Sequence, residues 1–472
     1  MFARLGTIIV DQPRRVILLV AVFAAVLLAG LQHTRFVSDF DSTLPNRSPL
    51  TQQILENQNR FGGRNSLVFL VKGGTEPARM ASACALTARL LTLPGIAQGR
   101  VYGVGSNSLK FVRPVGDDLE VTGLAALCSE GQRLTPDILA GLGPQRPLVQ
   151  APDRSLILAA DVTVVSGAYQ PLLDRIDQAI AQSQVGAVTI AYSGQPAFLA
   201  QNDRFSKRIA LFFPVIMALV LLLHWEALRN WQAVVVPIFT GLMATLMGLG
   251  IYGWLRQPLD TYTVLAPVLI LAVGAGHSVQ LLKRYMEEVR LRTPLGVQVS
   301  VEDNKAAIVR TLSAMGPVLT IAVLGASACL FALLLLDVSA LARFGLLAGV
   351  GVISALVLEL TVVPAIRALL RRPVIKPGYG DLSRWWQRGL ERLGELALTG
   401  PARPIGVALL LLAAALAAGV WHVKASYSMA EYTAADVPVQ RTLTSLAAAG
   451  VGPYVLDVVI DTGRPDGAFD PK

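Results

Sequence analysis

Two patterns alternate along the chain. Apolar runs near the length that crosses a bilayer as a helix, roughly 18–25 residues, occupy residues 16–31, 209–223, 231–254, 262–282, 315–336, 342–366 and 405–420. Between the first and second lies a mixed segment, 32–207, where the periodicity changes to that of strands and amphipathic helices. Residues 66–72, 155–165 and 187–192 read as strands, and 77–91 and 170–181 as helices. Two β-α-β units of this kind predict a small split βαβ, ferredoxin-like sandwich. The expected fold is a polytopic α-helical membrane protein of about seven spans with an α+β ferredoxin-like domain between its first two spans.

Composition agrees with that pattern. The chain is 53% hydrophobic and 15% charged, against about 25% charged in ordinary globular domains. A net charge of +9 raises nucleic-acid binding as a class, but no recognition module is visible, so no nucleic-acid partner is expected. The basic residues instead cluster in alternate loops. One holds Lys283, Arg284, Arg290, Arg292, Lys305 and Arg310, while the opposing short loops around Arg256 and Arg343 carry little charge. The positive-inside rule then predicts a cytoplasmic N-terminus, with 32–207 and the C-terminal tail outside. The domains expected are a cytoplasmic start (1–15), a first span (16–31), the exterior domain (32–207) and a five-helix bundle (208–370). A basic amphipathic cytoplasmic linker (371–403), a last span (404–421) and the opening of a second exterior domain (422–472) follow.

Chemistry concentrates in one apolar stretch. The run from Tyr262 is interrupted by Gly274, Ala275, Gly276, His277, Ser278, Val279 and Gln280. An ionisable side chain inside a span is costly and is a functional candidate for that reason. Histidine is the side chain suited to exchanging a proton near neutral pH, so His277 is a proton-coupling candidate. The bland alternative is a neutral histidine bonded to a neighbouring helix. Glu359 is the second proton-coupling candidate and, with a carboxylate of a second half, one of the groups that could answer a protonated His277; the alternative is a carboxylate near the cytoplasmic end of its span, since Arg367 lies about two helical turns on. Gly274, Gly276 and Ser278 are small residues that let another helix approach. Gly241, Gly248, Gly250, Gly349 and Gly351 read as close-packing positions, and Asp260 and Asp337 as solvated span ends. Cys84 and Cys128 share the exterior segment and are disulfide candidates. No metal-ligand spacing, phosphate-binding glycine loop or catalytic triad stands out, so no metal, no cofactor and no enzyme are expected.

The last span and the tail echo the start in one register. Gly30 matches Gly419, His33 matches His422, Arg35 matches Lys424, Pro49 matches Pro438 and Gly63 matches Gly452, after which 66–71 lines up with 455–460. Such a repeat implies two similar halves. The chain reads as the first half of a longer protein plus the opening of the second.

This layout resembles the resistance–nodulation–division (RND) superfamily, and within it the MmpL-type exporters, whose central spans resemble the sterol-sensing domain of Patched-like proteins. Residues 36–45 with Phe61-Gly62 resemble the family's exit from its first span, and Gly194 and Pro196 the re-entry into its second. Ala307-Ile308, Thr311, Pro317 and Thr320 resemble its fifth span, and Phe344-Gly345 and Pro364-Ala365 its sixth. Where these exporters carry Gly-x-Asp-Tyr, this chain has Gly274-Ala275-Gly276-His277, so Gly276 replaces the aspartate. The resemblance implies a proton-driven secondary-active exporter of hydrophobic or lipid-like molecules in a bacterial inner membrane. Its partners would be a lipid substrate, the bilayer, and further copies of itself or periplasmic proteins. A sterol- or lipid-sensing receptor or scaffold without transport is the rival, and an inactive half-transporter the third reading.

Overall fold

The computed structural model describes residues 1–37, 45, 47–61, 65–115, 118–163, 169–228, 230–375, 384–399, 401–423, 437–450 and 462–463. The elements run α1 (Phe2–Asp11), α2 (Pro13–Leu28), α3 (Pro49–Phe61), β1 (Ser66–Gly73), α4 (Glu76–Thr92), β2 (Ile96–Tyr102), β3 (Lys110–Val115) and β4 (Asp118–Gly123). Then come α5 (Ala125–Ser129), α6 (Pro136–Gly141), β5 (Leu156–Val162), α7 (Tyr169–Ser183), β6 (Val188–Gly194), α8 (Gln195–Leu228), α9 (Trp231–Trp254) and α10 (Ala266–Arg290). The chain continues with α11 (Val301–Ala332), α12 (Ser339–Leu369), α13 (Arg384–Thr399), α14 (Ala402–Ala418) and α15 (Pro438–Ala448). They fall into two compact units, a helical one of residues 1–37, 41–46 and 205–425, and an α+β one of 38–40, 47–204 and 426–472.

In the helical unit, six helical stretches among the described residues are long and apolar enough to cross a membrane: Pro13–His33, Val234–Trp254, Thr263–Arg290, Val301–Leu335, Ser339–Leu369 and Pro404–His422. The seventh expected span falls in α8, Gln195–Leu228, whose apolar run among the described residues is Leu211–Glu226. α11 begins at Val301, well before the apolar run, and continues unbroken into it. Ser300 caps that helix by accepting from the Asp303 N–H, with Glu302 and Asp303 in the first turn, where carboxylates suit the helix dipole.

Small residues set the spacing of this bundle. A Cβ added to Gly248 would stand 2.8 Å from Gly351 Cα, and one on Gly30 would overlap the Gly250 carbonyl. Gly241 lies as close to Leu271, Gly349 to the Phe331 ring and Gly351 to Ile270. These glycines are therefore packing positions. Without a hydrophobic drive between helices in lipid, such close backbone approach is a main source of association.

The α+β unit holds a four-stranded antiparallel sheet in the order β2-β5-β1-β6, with α4 and α7 as its crossovers. β1 pairs with β5 through Phe69 opposite Leu158, and with β6 through Phe69 opposite Tyr192. Side chains alternate across a strand, and both faces are covered here. Leu67, Phe69 and Val71 join the core beneath α4 and α7, while Leu70 packs with Ile157, Leu446 and Ala449. That double burial explains why β1 is apolar almost throughout, without polar alternation. Sequence periodicity located β1, α4, β5, α7 and β6, but not β2 or the β3–β4 hairpin. β2 is interrupted by a register shift between Ile96 and Val101, which breaks its alternation.

The internal echo is visible in the fold. The first and last spans each close in a short 3₁₀ turn, at Ala29–His33 and Gly419–His422, and α3 and α15 each begin on a proline, Pro49 and Pro438. The second-copy strand expected at 455–460 lies outside the described residues.

Candidate functional site

The site grows out of one close helix crossing. Gly274 on α10 faces Ala355 on α12: a Cβ on Gly274 would be 3.1 Å from the Ala355 Cβ and 3.5 Å from Gly241 Cα on α9. Residues three and four apart share a helix face, so the positions one turn on, His277 and Glu359, are carried to the same crossing. There His277 Nδ1 stands 3.6 Å from Glu359 Oε2, with the glutamate side chain 1% and the histidine side chain 17% exposed. No hydrogen bond reaches either Glu359 oxygen or His277 Nδ1 among the described residues. The two groups face each other at ion-pair range rather than hydrogen-bond range.

Two further contacts hold α10 here. Ser278 Oγ is 3.2 Å from Thr240 Oγ1 on α9. The His224 ring on α8 sits between two carbonyls, with Nδ1 2.7 Å from Val220 O and Nε2 3.2 Å from Ala275 O. The second bond lands on the backbone between Gly274 and Gly276, where the absence of side chains leaves the α10 carbonyl open to approach. Gly276 differs from Gly274 and departs from the packing role expected of it. Nothing lies within 4 Å of where its Cβ would be, so that face of α10 is open.

Helices α10 and α12 meet again at both ends. Asp260, just before α10, lies 3.5 Å from Arg343 Nη1 in the first turn of α12. Asp260 is 3% exposed, a correction to the solvated role read from its position at a span end. Its Oδ1 accepts from the N–H groups of Tyr262 and Thr263. Burial pushes its carboxyl above the usual carboxylate range, and the Thr263 N–H, Arg343 and the Tyr262 N–H pull it partly back. At the other end Arg367 lies over the Tyr285 ring, 5.1 Å from its centroid, and the Tyr285 hydroxyl donates to Asn304 Oδ1 at 2.5 Å. Glu359 lies eight residues before Arg367 on the same helix, about 12 Å along the axis. The pair is thus inside the bundle, with polar contacts above and below it.

Sequence reasoning named Glu359 as one carboxylate that could answer a protonated His277, without fixing the geometry of the two. It missed His224 and Thr240. The available signal was their spacing from small residues on neighbouring helices. In the α+β unit, Cys84 and Cys128 are joined by a disulfide, with Cα atoms 5.7 Å apart. The described residues contain no cluster of three metal-ligating side chains.

Comparison with known proteins follows the same lines. A sequence model of the MMPL family matches residues 153–395, which includes both His277 and Glu359. A putative membrane protein of Methanocaldococcus jannaschii is 23% identical over 401 residues, 79% of this chain and 95% of its own length. The probable transport protein MmpL10 of Mycobacterium leprae is 25% identical over 417 residues, 79% of this chain but 37% of that protein. The hopanoid transporter HpnN of Burkholderia multivorans is 30% identical over 199 residues, 41% of this chain and 21% of HpnN. The chain therefore spans little more than a third of MmpL10 and less of HpnN. With its apolar spans, its glycine-spaced bundle and a family match over half its length, this multi-pass membrane protein belongs to the MMPL family.

Proposed function

We propose that the protein is a proton-driven secondary-active exporter that moves hydrophobic or lipid-like molecules outward across a bacterial inner membrane. The observation that carries this reading is the buried His277–Glu359 pair. With one proton between them, the two groups are either imidazole with carboxylic acid or imidazolium with carboxylate, and both forms are neutral overall. Adding or removing a proton leaves a net charge in the bundle, and an uncompensated charge at such depth costs at least about 2.5–3.5 kcal/mol. A change of proton count therefore requires a second conformation that brings water or a new counter-charge to the pair. That requirement is what couples protonation to alternating access. The pair takes the part that the replaced aspartate plays in related exporters, displaced by one residue on α10 and completed from α12.

The other elements have places in this scheme. The strand order β2-β5-β1-β6 with two crossover helices supports a ferredoxin-like porter domain outside the membrane, handling cargo. The lysine and arginine asymmetry supports a cytoplasmic N-terminus. α13 carries Trp386, Leu390, Leu393 and Leu396 exposed, on nearly one helix face, as suits a helix lying in the membrane surface. The names of MmpL10 and HpnN, a transport protein and a hopanoid transporter, support a lipid as the cargo class. The test is efflux of a fluorescent lipid from proteoliposomes under an imposed pH gradient. The reading expects flux that collapses with the gradient and is lost in His277→Gln and Glu359→Gln at equal incorporation. Flux indifferent to the gradient, or wild-type flux in both variants, would overturn the proton coupling, and no flux at all would favour a lipid-sensing receptor or scaffold.

A further inference from the structure

At the end of the helical unit where α12 finishes, a cleft of about 340 Å³ opens between α1, the start of α11 and residues 368–372. It has room for about ten water molecules, at roughly 30 Å³ each. Three cationic side chains line it, Lys305, Arg371 and Arg372, beside the amides of Gln298 and Asn304. Their charges are unequally committed. Lys305 Nζ is held by Asp11 at 2.9 Å. Arg372 gives one Nη to the Val299 carbonyl at 3.0 Å and keeps its other donors. Among the described residues, no carboxylate lies within ion-pair distance of Arg371 or Arg372. The remaining wall is apolar, and Val301 and Leu369 beside the cations are 54% and 47% exposed.

Two arginines without counter-ions among the described residues, at the end of a membrane span and next to exposed aliphatic side chains, match one chemistry. The arginines suit a phosphodiester, which a guanidinium binds through paired N–H donors, and the aliphatic wall suits the acyl and glycerol portion attached to it. We propose that this cleft is a binding site for the headgroup of an anionic phospholipid, with Arg371 and Arg372 on the phosphate. A free phosphate shares the anionic half of this chemistry but has no use for the apolar wall. The site also touches the helix of the His277 pair, because Asn304 in its lining is the acceptor of the Tyr285 hydroxyl on α10. A bound lipid is thus placed to brace α11 against α10 and α12.

Native mass spectrometry of the full chain, stripped of lipid and then titrated with phosphatidylglycerol or phosphatidylcholine, tests this directly. The wild type should retain phosphatidylglycerol in preference to phosphatidylcholine. Basic residues near a membrane surface contribute about 1 kcal/mol each, so R371Q/R372Q should weaken that preference about thirty-fold. R371K/R372K should keep most of it. Should the double glutamine variant fail to fold, either single variant is expected to lose about five-fold. Equal retention of the two lipids by the wild type, or an unchanged preference in the glutamine variants, would overturn the proposal. So would inorganic phosphate displacing phosphatidylglycerol completely at millimolar concentration, which would make the cleft a site for a soluble anion.

Discussion

Replacing Gly274 by valine tests whether the α10–α12 crossing makes the site. At this crossing a Cβ meets the Ala355 Cβ at 3.1 Å, so Gly274→Ala needs only a few tenths of an ångström of adjustment. Valine adds two methyls beyond that Cβ, and clearing them takes about one further carbon–carbon bond length, ~1.5 Å. The His277–Glu359 separation, 3.6 Å now, would become about 5.1 Å. At an effective dielectric constant of about 20, the attraction of the ionised pair falls from about 4.6 to about 3.3 kcal/mol, a tenfold change in the equilibrium it biases. Overpacking adds its own cost of about 1–3 kcal/mol to folding. The assay is a double-mutant cycle between His277→Gln and Glu359→Gln, read by thermal unfolding in detergent, with and without Gly274→Val. The coupling energy should shrink by about 1.3 kcal/mol in the valine background. Gly276→Ala is the control, because its Cβ enters open space and should leave the coupling unchanged. Undiminished coupling in Gly274→Val, or an equal loss from Gly276→Ala, would refute the reasoning.

Three other outcomes are expected. Cys84→Ser removes a cross-link between residues 44 apart, which chain entropy values at about 4 kcal/mol; the variant should melt well below the oxidised wild type and not respond to reductant. Asp260→Asn keeps an oxygen for the Tyr262 and Thr263 N–H groups but cannot ionise. Because the folded carboxyl titrates above its ordinary value, its stabilising contribution is complete below that ordinary value and is lost as pH rises through the folded one. The wild type's advantage over Asp260→Asn should therefore shrink as pH rises from the ordinary carboxylate range, whereas parallel stability-versus-pH curves would contradict the burial argument. Gly248→Leu, whose side chain must enter a gap where Gly351 Cα is already 2.8 Å from the Cβ position, should give little folded protein by gel filtration.

What could be read from the sequence followed the physics that produces it. Spans were legible because each must be apolar over its whole length, and β1, α4, β5, α7 and β6 because burial imposed their periods. The hairpin of β3 and β4 was not, since its residues are largely exposed and no core dictates them. The geometry of His277 against Glu359 was hidden for a different reason. It depends on the register of two helices 82 residues apart at these side chains, and that register is set by Gly274 against Ala355. Nothing local to either residue announces it. Asp260 was misjudged in the same way, because its ion-pair partner, Arg343, lies 83 residues on in the chain.

Proton coupling as proposed requires Glu359 and His277 to exchange protons as one unit, and infrared difference spectroscopy across a pH step observes that unit itself. The reconstituted chain should give a protonated-carboxyl C=O band on acidification that is absent in Glu359→Gln and shifted in frequency or midpoint in His277→Gln. A wild-type spectrum with no such band between pH 5 and 8, or one identical in His277→Gln, would contradict the claim that this pair loads the proton.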